Sequence, residues 1–328
     1  MKPIDFVVTW VDGSDQDWLS KKRVYSGNEL KGMNSLTGFR DWGTLKYWFR
    51  GVEKFAPWVN KVYLVTANQK PDWINLNNPK LVLVSHDDYM PKAALPVFNS
   101  NAIEALLYKI PNLSEQFVYF NDDMFLINPT SSSDFFYKDK PKDIAVFYPI
   151  KPQKNGTAHF QVNNMDIINK YFSKKDILKN STVLSRKYGL DNLRTLSQLI
   201  CKFIPGFFET HMPNSFLKST FEEVWTREYD ILLKTVYSKF RSDTNTNQWL
   251  FRDWQLAGGN FSPRNNRKFG KYMDLTDNNE KVWEIMQRSK YKVLCINDVS
   301  VLNDPESVRK ELINSFETIL PTKSSFEI

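Results

Sequence analysis

Short apolar runs alternate with amphipathic stretches through the first half of the chain, and this pattern predicts an α/β fold. The runs are near-continuously hydrophobic, as strands of a parallel sheet buried on both faces are. The predicted strands cover residues 4–11, 61–66, 80–85, 117–120 and 144–148. Between them, apolar residues at helical spacing predict helices over residues 40–55 and 99–108. The alternation indicates a Rossmann-like, mostly parallel sheet flanked by helices.

Beyond about residue 150 the pattern changes to helical segments joined by Asn- and Lys-rich connections. The predicted helices cover residues 220–237, 248–256 and 305–319. One more apolar run, residues 293–298, predicts a strand that ends in Asn-Asp. We therefore expect a core over residues 1–150 and a mainly helical part over residues 151–328 that completes the site.

The fourth predicted strand stops abruptly at Asn121, Asp122 and Asp123, and apolar character resumes directly afterwards. Two carboxylates and an amide in such a run are costly to bury without partners. Their hard oxygen ligands suit Mg²⁺ or Mn²⁺, and open α/β sheets bind ligands at the carboxyl ends of their strands. A polar turn explains the tripeptide equally well, since Asn and Asp are ordinary turn residues. The strand that ends at Asn297 could meet this one at a single site.

Other polar residues are weaker candidates on their own. Asp5 lies within the first strand and is either a satisfied structural carboxylate or a site residue. Asp12 belongs to a turn placed where a nucleotide-binding loop follows a first strand. Glu104 is either a solvated acid near a helix start or an acid that points at the ligand end of the sheet. His211 is one of three histidines, and residues 21–36 read as a mobile loop that could cover a ligand.

Composition limits the classes of partner that we expect for this protein. The net charge of +7 over 328 residues favours an anionic ligand, but the lysines are spread along the chain, so a nucleic acid partner is not expected. Cys201 and Cys295 lie far apart in apolar settings and read as buried free thiols of a reducing compartment. Without a signal-peptide pattern or an apolar span, we expect a cytoplasmic protein, with peripheral attachment to the inner face of the plasma membrane left open.

Four groups of residues resemble, in chain order, the four signatures of the Stealth proteins. Residues 4–13 resemble the first signature, and pieces of residues 40–123, from Arg40 to Asp123, resemble the second. Residues 211–213 resemble the third signature and residues 295–298 the fourth. The family comprises bacterial capsule-polymer hexose-1-phosphate transferases and the animal N-acetylglucosamine-1-phosphotransferase.

The resemblance implies a glycosyltransferase-A-like fold whose first 150 residues bind a nucleotide sugar. It implies transfer of a sugar-1-phosphate from a UDP-sugar to a hydroxyl of an oligo- or polysaccharide acceptor. The product is a phosphodiester and the leaving group is UMP. Mg²⁺ or Mn²⁺ is the implied cofactor, and membrane-bound capsule assembly is the implied setting of any peripheral attachment.

The family's active-site positions fall on Asp5, Ser100, Glu104, Asn121, Asp123, His211, Arg241 and Asn297. On this hypothesis Asp123, with Asn297 or Asp122, holds the cation on the diphosphate. Arg241 would clamp the phosphate oxygens as a planar, permanently charged fork. Phosphoryl transfer depends on such positioning and charge neutralisation more than on covalent help.

The base that deprotonates the acceptor is left open among three residues. His211 is the first candidate, because an imidazole has a pKa suited to proton transfer near neutral pH. Glu104 and Asp5 are its rivals. The expected substrate-binding residues are Asp12, Arg40, Ser100, Asn121 and Asn297. Many relatives have a second histidine where this chain has Asn214.

Two other functions compete with phosphotransfer. A metal-dependent glycosyltransferase would share the sheet and the acidic strand end, but it would release UDP and form a plain glycoside. An inactive glycan-binding protein would release no nucleotide at all. The released nucleotide therefore separates the three functions.

Overall fold

Near-continuous hydrophobic runs build the sheets of the computed structural model, which describes residues 2–26, 34–35, 39–153, 156–298 and 302–328. The strands are β1 Ile4–Thr9, β2 Val62–Thr66, β3 Leu81–Ser85, β4 Gln116–Phe120, β5 Met124–Leu126, β6 Phe136–Tyr137, β7 Lys140–Asp143, β8 Asn214–Leu217, β9 Ser262–Pro263, β10 Gly270–Asp274 and β11 Val293–Asn297. The helices are α1 Gln16–Ser26, α2 Leu45–Phe55, α3 Ser100–Ala105, α4 Ser132–Phe135, α5 Ala158–Tyr171, α6 Lys174–Asn180, α7 Asn192–Ser197, α8 Lys218–Arg227, α9 Tyr229–Tyr237, α10 Trp249–Ala257, α11 Asn266–Phe269, α12 Glu280–Arg288 and α13 Pro305–Ile319.

The central sheet has the strand order β3-β2-β1-β4-β8. The first four strands run parallel, and β8 adds to the edge of β4 in the antiparallel direction. Because parallel strands end at the same edge of a sheet, the segments that follow β1, β2 and β4 meet there. The mostly parallel α/β sheet flanked by helices that the sequence predicted is confirmed.

The two faces of this sheet carry separate hydrophobic clusters, since successive side chains of a strand point to opposite faces. Val7, Phe117 and Tyr119 belong to the cluster that packs against α5, α8, α9 and α10. Phe6 and Phe120 belong to the other cluster, with α2, α12 and α13. The apolar runs are continuous because both faces are buried.

A second sheet has the order β10-β11-β5, with β11 antiparallel to β5. β5 begins directly after Asp123, and the backbone NH of Ile296 donates to the carbonyl of Asp123 at 2.9 Å. The two strand ends that carry Asn-Asp pairs therefore lie side by side, as the sequence suggested. A third, small sheet contains β6, β7 and β9.

Three local predictions differ from the structure. Residues 144–148 form only an isolated antiparallel bridge, between Phe147 and Phe207, instead of the expected strand. Side chains take other backbone NH groups: Tyr188 accepts from the NH of Ala145 and Thr195 from that of Phe147. The predicted helix over residues 220–237 breaks at Glu228 into α8 and α9. Residues 21–26 end a helix rather than begin a loop, while half of the predicted loop, residues 27–33 and 36, lies outside the described residues.

The second half of the chain contributes β8 to the central sheet and β11 to the second sheet. The division at residue 150 stays a prediction. Among the described helices, none is both long enough and apolar enough to cross a bilayer.

Candidate active site

A cleft of about 490 Å³ opens where the carboxyl ends of β1, β2 and β4 meet. Nine of the eleven candidate residues line it, and Asp5 and Asp12 do not. The nine are Arg40, Ser100, Glu104, Asn121, Asp122, Asp123, His211, Arg241 and Asn297. The sheet therefore gathers residues that lie more than 250 positions apart in the sequence into one site.

Asp5 is a structural residue at the opposite end of β1. It is fully buried, and its carboxylate accepts from Asn60 Nδ2 at 2.7 Å and from the backbone NH groups of Lys61 and Ser114 at 3.1 and 2.8 Å. At ~3.3 Å per residue it lies about 13 Å from Thr9, where the strand reaches the cleft. The oxygens of Asp5 already hold two connecting segments and do not line the cleft, so its position does not support the expected catalytic role.

Asp12 closes the turn after β1 rather than lining the cleft. Its Oδ1 accepts from the NH and the hydroxyl of Ser14 at 2.8 and 2.6 Å, and its backbone is bonded twice to the side chain of Gln69. The expected contact of Asp12 with substrate is therefore not supported. Its role is to shape the turn that follows β1.

Glu104 is buried on α3 and faces the cleft beside β4. Its Oε1 accepts from the hydroxyl of Tyr119 at 3.1 Å, and that hydroxyl also bonds Thr9 at 2.9 Å. Burial raises the pKa of Glu104 to about 7, and the nearby charge of Arg241 lowers it in part. A carboxyl with such a pKa changes its protonation state near neutral pH, as a general acid or base does.

Arg241 reaches the same corner from the loop after α9. Its Nη2 donates to Ser100 Oγ at 2.7 Å, at the first turn of α3. The loop is held there by the buried side chain of Asn99, whose Nδ2 donates to the carbonyls of Ser238 and Phe240 and to Asn245 Oδ1. Asn99 also caps α3, so one residue places both Ser100 and Arg241.

Asp122 and Asp123 form the acidic side of the cleft. Asp122 keeps an open side towards the cleft, yet the protein around it and then the charges of Asp123 and Asp41 raise its pKa to about 7. Asp123 Oδ2 accepts from Cys295 Sγ at 3.4 Å, whereas its buried Oδ1 has no hydrogen-bond partner among the described residues. Burial also raises the pKa of Asp123, and the nearby His211 opposes that shift.

These carboxylates fit a divalent cation. A buried carboxylate oxygen without a hydrogen-bond partner, beside a second carboxylate, is electrostatically unfavourable. A hard cation such as Mg²⁺ or Mn²⁺ would compensate both negative charges. Ligand atoms of Asp123, His211 and Cys295 also lie within 4.8 Å of one another. Burial and Asp123 raise the pKa of the Cys295 thiol well above its ordinary value, so it is a poor ligand for a hard cation.

Asn297 sits at the end of β11 and lines the cleft, but its Nδ2 donates to Asp274 Oδ1 at 2.9 Å. Its amide oxygen therefore remains the group that it could offer to a cation or a substrate.

His211 precedes β8 in a left-handed backbone conformation with φ of 53°. Its NH donates to Glu209 Oε1 at 2.6 Å, and its ring packs edge-on against Trp249 and Tyr272. The imidazole thus lies on the Asp123 side of the cleft, with its orientation fixed by aromatic neighbours.

Arg40 lines the cleft and is paired with Asp298. Its Nη1 is 3.6 Å from Asp298 Oδ1, and Trp42 Nε1 donates to the other oxygen at 3.2 Å. The guanidinium also lies over the Trp42 ring. Arg40 is therefore held in place by a residue of the segment that follows β11.

Three conserved regions of the Stealth proteins match the chain: region 1 over residues 2–29, region 2 over residues 38–144 and region 4 over residues 284–328. The capsular polysaccharide phosphotransferase WcwK of Streptococcus pneumoniae is 46% identical over 333 residues, which covers 100% of both chains. The receptor polysaccharide phosphotransferase WefC of Streptococcus gordonii is 48% identical, with the same coverage. The chain belongs to the Stealth family.

Another Stealth relative, the exopolysaccharide phosphotransferase cps2G of Lactiplantibacillus plantarum, is 41% identical over 99% of this chain and 96% of its own. These relatives are transferases, and this chain is an enzyme of that class. Among solved structures, LgtC, a galactosyltransferase, aligns over 98% of both chains with a TM-score of 0.41 and 8–9% identity.

The Stealth regions contain most candidate residues of the cleft. Region 2 spans Arg40, Ser100, Glu104 and the acidic strand end, and region 4 spans Asn297. His211 and Arg241 lie outside the three matched regions. Their assignment rests on their position in the cleft and on the sequence resemblance.

Sequence reasoning missed several residues of the site. Tyr119 lies in a strand rich in aromatic residues, so its sequence context does not mark it as a site residue. For Cys295 the sequence predicts only a buried free thiol, because its contact with Asp123 depends on strand register. His86 also lines the cleft, and burial lowers its pKa to about 4, so it is neutral at pH 7.

Lys22 is the least expected of the missed residues. Its side chain is 1% exposed, and its Nζ lies 3.6 Å from the centre of the Phe39 ring. Within the described residues this ammonium has no hydrogen-bond partner. Burial, and then the charge of Arg241, lower the pKa of Lys22 to about 8. Phe39 and the neighbouring Trp18 both line the cleft.

Proposed function

We propose that this Stealth protein transfers a hexose-1-phosphate from a UDP-sugar to a hydroxyl of a capsular or exopolysaccharide acceptor. The oxygen of the acceptor attacks the phosphorus that bears the sugar, the bond from that phosphorus to UMP breaks, and the acceptor's proton passes to a base. The product is a phosphodiester. The observation that carries the proposal is that the adjacent carboxylates of Asp122 and Asp123 and the guanidinium groups of Arg40 and Arg241 line one cleft at the carboxyl ends of the strands.

Asp122 and Asp123 would hold a divalent cation through their oxygens, and such a cation neutralises the diphosphate of a nucleotide sugar when bound. The buried Oδ1 of Asp123, which has no hydrogen-bond partner among the described residues, and the amide oxygen of Asn297 support this placement. Phosphoryl transfer proceeds mainly through positioning and electrostatic stabilisation, which this acidic side supplies on one flank of the substrate.

Arg241 would bind the phosphoryl group that is transferred, because its fork projects beside Ser100 at the first turn of α3. Lys22 adds a second positive charge nearby, close enough that the charge of Arg241 contributes to the lowered pKa of Lys22. Two neighbouring cations repel each other unless an anion lies between them. The substrate diphosphate is an anion of the required charge.

Glu104 is the base that the geometry favours over His211. Glu104 lies near Arg241 and Ser100, where the attacked phosphorus would sit. Its pKa of about 7 suits proton transfer at neutral pH. His211 lies on the opposite side, against Asp123, where the cation and the leaving UMP would be. Asp5 does not line the cleft, so we do not propose it as the base.

The released nucleotide tests the proposal. The purified chain is incubated with Mg²⁺, a panel of UDP-sugars and capsule oligosaccharides, and the nucleotide products are separated by ion-exchange chromatography. We expect UMP, with loss of release in Asp123→Asn and normal release in Asp230→Asn, a matched exposed carboxylate outside the cleft. UDP release would replace the proposal with a glycosyltransferase, and no release from any donor would favour a glycan-binding protein.

A further inference from the structure

Residues 174–203 form a surface that nothing in the transfer reaction uses. Seven large apolar side chains are exposed on it, and five of them lie close together in the sequence: Leu190, Leu193, Leu196, Ile200 and Phe203. We call these five the apolar ridge. Ile200 is 88% exposed and Leu190 is 84% exposed, so two large aliphatic side chains of this segment lie almost entirely in solvent.

The ridge is a regular feature of the fold, because its residues follow one another at intervals of three or four positions. In and just after α7 such spacing places side chains on one face of the chain. Thr195 occupies the opposite face of α7, where it is fully buried and its hydroxyl accepts from the NH of Phe147 at 3.1 Å. Aliphatic side chains therefore point outward while the polar residue points inward.

Specific contacts hold the segment in this orientation. The buried hydroxyl of Tyr188 donates to the carbonyl of Thr182 at 3.0 Å and accepts from the NH of Ala145. Asp191 accepts from Arg194 and Arg267 at 3.0 and 2.7 Å. The ammonium of Lys174 donates to carbonyls of the turn after α7. Because its inner side is fixed, the ridge cannot fold back onto the protein without breaking these bonds.

The ridge is surrounded by positive charge. Residues 174–203 contain seven basic and two acidic residues, a net charge of +5 out of +7 for the whole chain. One of the two acids, Asp191, is already paired with arginines. Arg186, Lys187 and Lys202 are exposed beside the ridge. Exposed aliphatic side chains set among lysines and arginines are the features by which peripheral proteins bind anionic membranes.

We propose that the apolar ridge inserts into the surface of an anionic lipid bilayer and that the surrounding lysines and arginines bind its headgroups. Charge complementarity favours a bilayer over a second copy of the chain, because two such surfaces would bring like charges together. The segment also packs on Tyr148 and Phe208, with Arg194 lying over both rings. Phe208 is three residues from His211, so the docked surface would adjoin one side of the cleft.

The test uses the purified full chain and vesicles of stated composition, in a sedimentation assay that needs no sugar substrate. Neutral vesicles contain phosphatidylcholine, and anionic ones contain phosphatidylcholine and phosphatidylglycerol in a 3:1 ratio. We expect binding to anionic vesicles, at least about tenfold weaker to neutral ones and weakened by salt. Leu193→Ser/Ile200→Ser should lower the partition coefficient about tenfold or more, because two side chains lose their place in the bilayer.

Two further variants make the result specific. Lys187→Glu/Lys202→Glu should weaken binding to anionic vesicles only. Leu76→Ser/Tyr229→Ser changes two exposed apolar residues outside the segment and should bind like the unchanged protein. The proposal is overturned if the unchanged chain stays in the supernatant with both vesicle types, or if the ridge variant binds equally well. A dimer in light scattering that the ridge variant dissociates, without vesicle binding, would assign the ridge to a second copy instead.

Discussion

The chemistry of Glu104 depends on its surroundings, since the same side chain in water would be fully ionised at neutral pH. Its raised pKa means that the carboxylate, the form able to accept a proton, becomes the major species only above about pH 7. We therefore expect kcat/KM to rise with pH through about 7 and to level above it. Initial rates of UMP release between pH 5.5 and 9 measure this dependence.

Glu104→Gln tests the assignment, because glutamine keeps the size of the side chain and can still accept from Tyr119. The rate should fall by roughly 10²–10⁴-fold, the usual contribution of a general base, and the rise near pH 7 should disappear. His211→Asn should keep the rise. If instead only His211→Asn removes the pH dependence, the base is His211.

Lys22 carries a second prediction at this scale. Its buried ammonium has no hydrogen-bond partner in the part of the chain that the structure describes, and such a charge is unfavourable to the fold unless an anion accompanies it. Lys22→Met keeps roughly the length of the side chain and removes its charge. The variant should be more stable to thermal unfolding without substrate, by an amount that is largest below about pH 8, where the lysine is charged. Its KM for the UDP-sugar should rise about tenfold, as expected for a lost charged hydrogen bond to phosphate.

A matched control for Lys22→Met is Lys21→Met, at the preceding, exposed position of α1. This change should leave both stability and KM near their original values. A Lys22→Met protein that loses stability and keeps its donor KM would show that Lys22 is a packing residue, contrary to the proposed role.

The contrast between Asp123 and Cys295 shows how far the site could be read from the sequence. Asp123 is a candidate from the sequence because two carboxylates in an apolar run are costly to bury without partners, and the resemblance to the Stealth proteins favours a site over a polar turn. Cys295 could not be found, because its contact with Asp123 arises from the antiparallel pairing of β11 with β5, and register is not visible in the sequence. The sequence also does not show that the carboxylate of Asp5 is already hydrogen-bonded, because its partners, Asn60 and two backbone NH groups, come from distant segments.

At the scale of elements, segments with strong local signals were predicted well. α13 has the predicted bounds, with Pro305 in its first turn and Asp304 capping the NH of Ser307. The predicted helix over residues 220–237 lacked such a boundary signal. It breaks at Glu228, whose buried carboxylate forms an ion pair with Lys170 of α5, a tertiary contact that the helical pattern could not reveal.

Asp5 gives a prediction at this scale, since it joins the start of β1 to the segments before β2 and β4. Asp5→Ala leaves Asn60 Nδ2 and two backbone NH groups without their acceptor. Each lost bond to a charged acceptor is worth about 1.5–3 kcal/mol, so the free energy of unfolding should fall by at least about 3 kcal/mol. Urea denaturation followed by circular dichroism measures the change.

The folded fraction of Asp5→Ala should keep kcat within about threefold of the original, because this residue lies at the other end of the strand from the cleft. Activity measured at low temperature, where the variant remains folded, provides that comparison. A stable Asp5→Ala protein with a hundredfold lower kcat would restore Asp5 to the catalytic residues.

At the scale of the whole molecule, the C-terminal end of the chain is tied to the first half through Arg50. This guanidinium, on α2, is 6% exposed and forms two hydrogen bonds of 2.9 Å to Glu327. It also contacts Glu317 and donates to the carbonyl of Leu320 at 2.9 Å. One residue thus links the helix that packs under the central sheet to α13 and to the segment after it.

Arg50→Met should lower the free energy of unfolding by about 3–5 kcal/mol, because it leaves the carboxylate of Glu327 buried without its partner. Arg50→Lys should recover only part of this loss, since an ammonium cannot form both bonds to Glu327 at once. The loss should also depend on pH. Arg50 contributes to a lowered pKa of Glu327, so the stabilisation is complete above the ordinary pKa of a glutamate and declines as the pH falls below it. Urea titrations at pH 7 and pH 3.5 measure the free energy of unfolding of the Met variant and of the unchanged chain. The two proteins should differ strongly in this free energy at pH 7 and less at pH 3.5. An equal difference at both pH values would mean that Arg50 acts through packing alone.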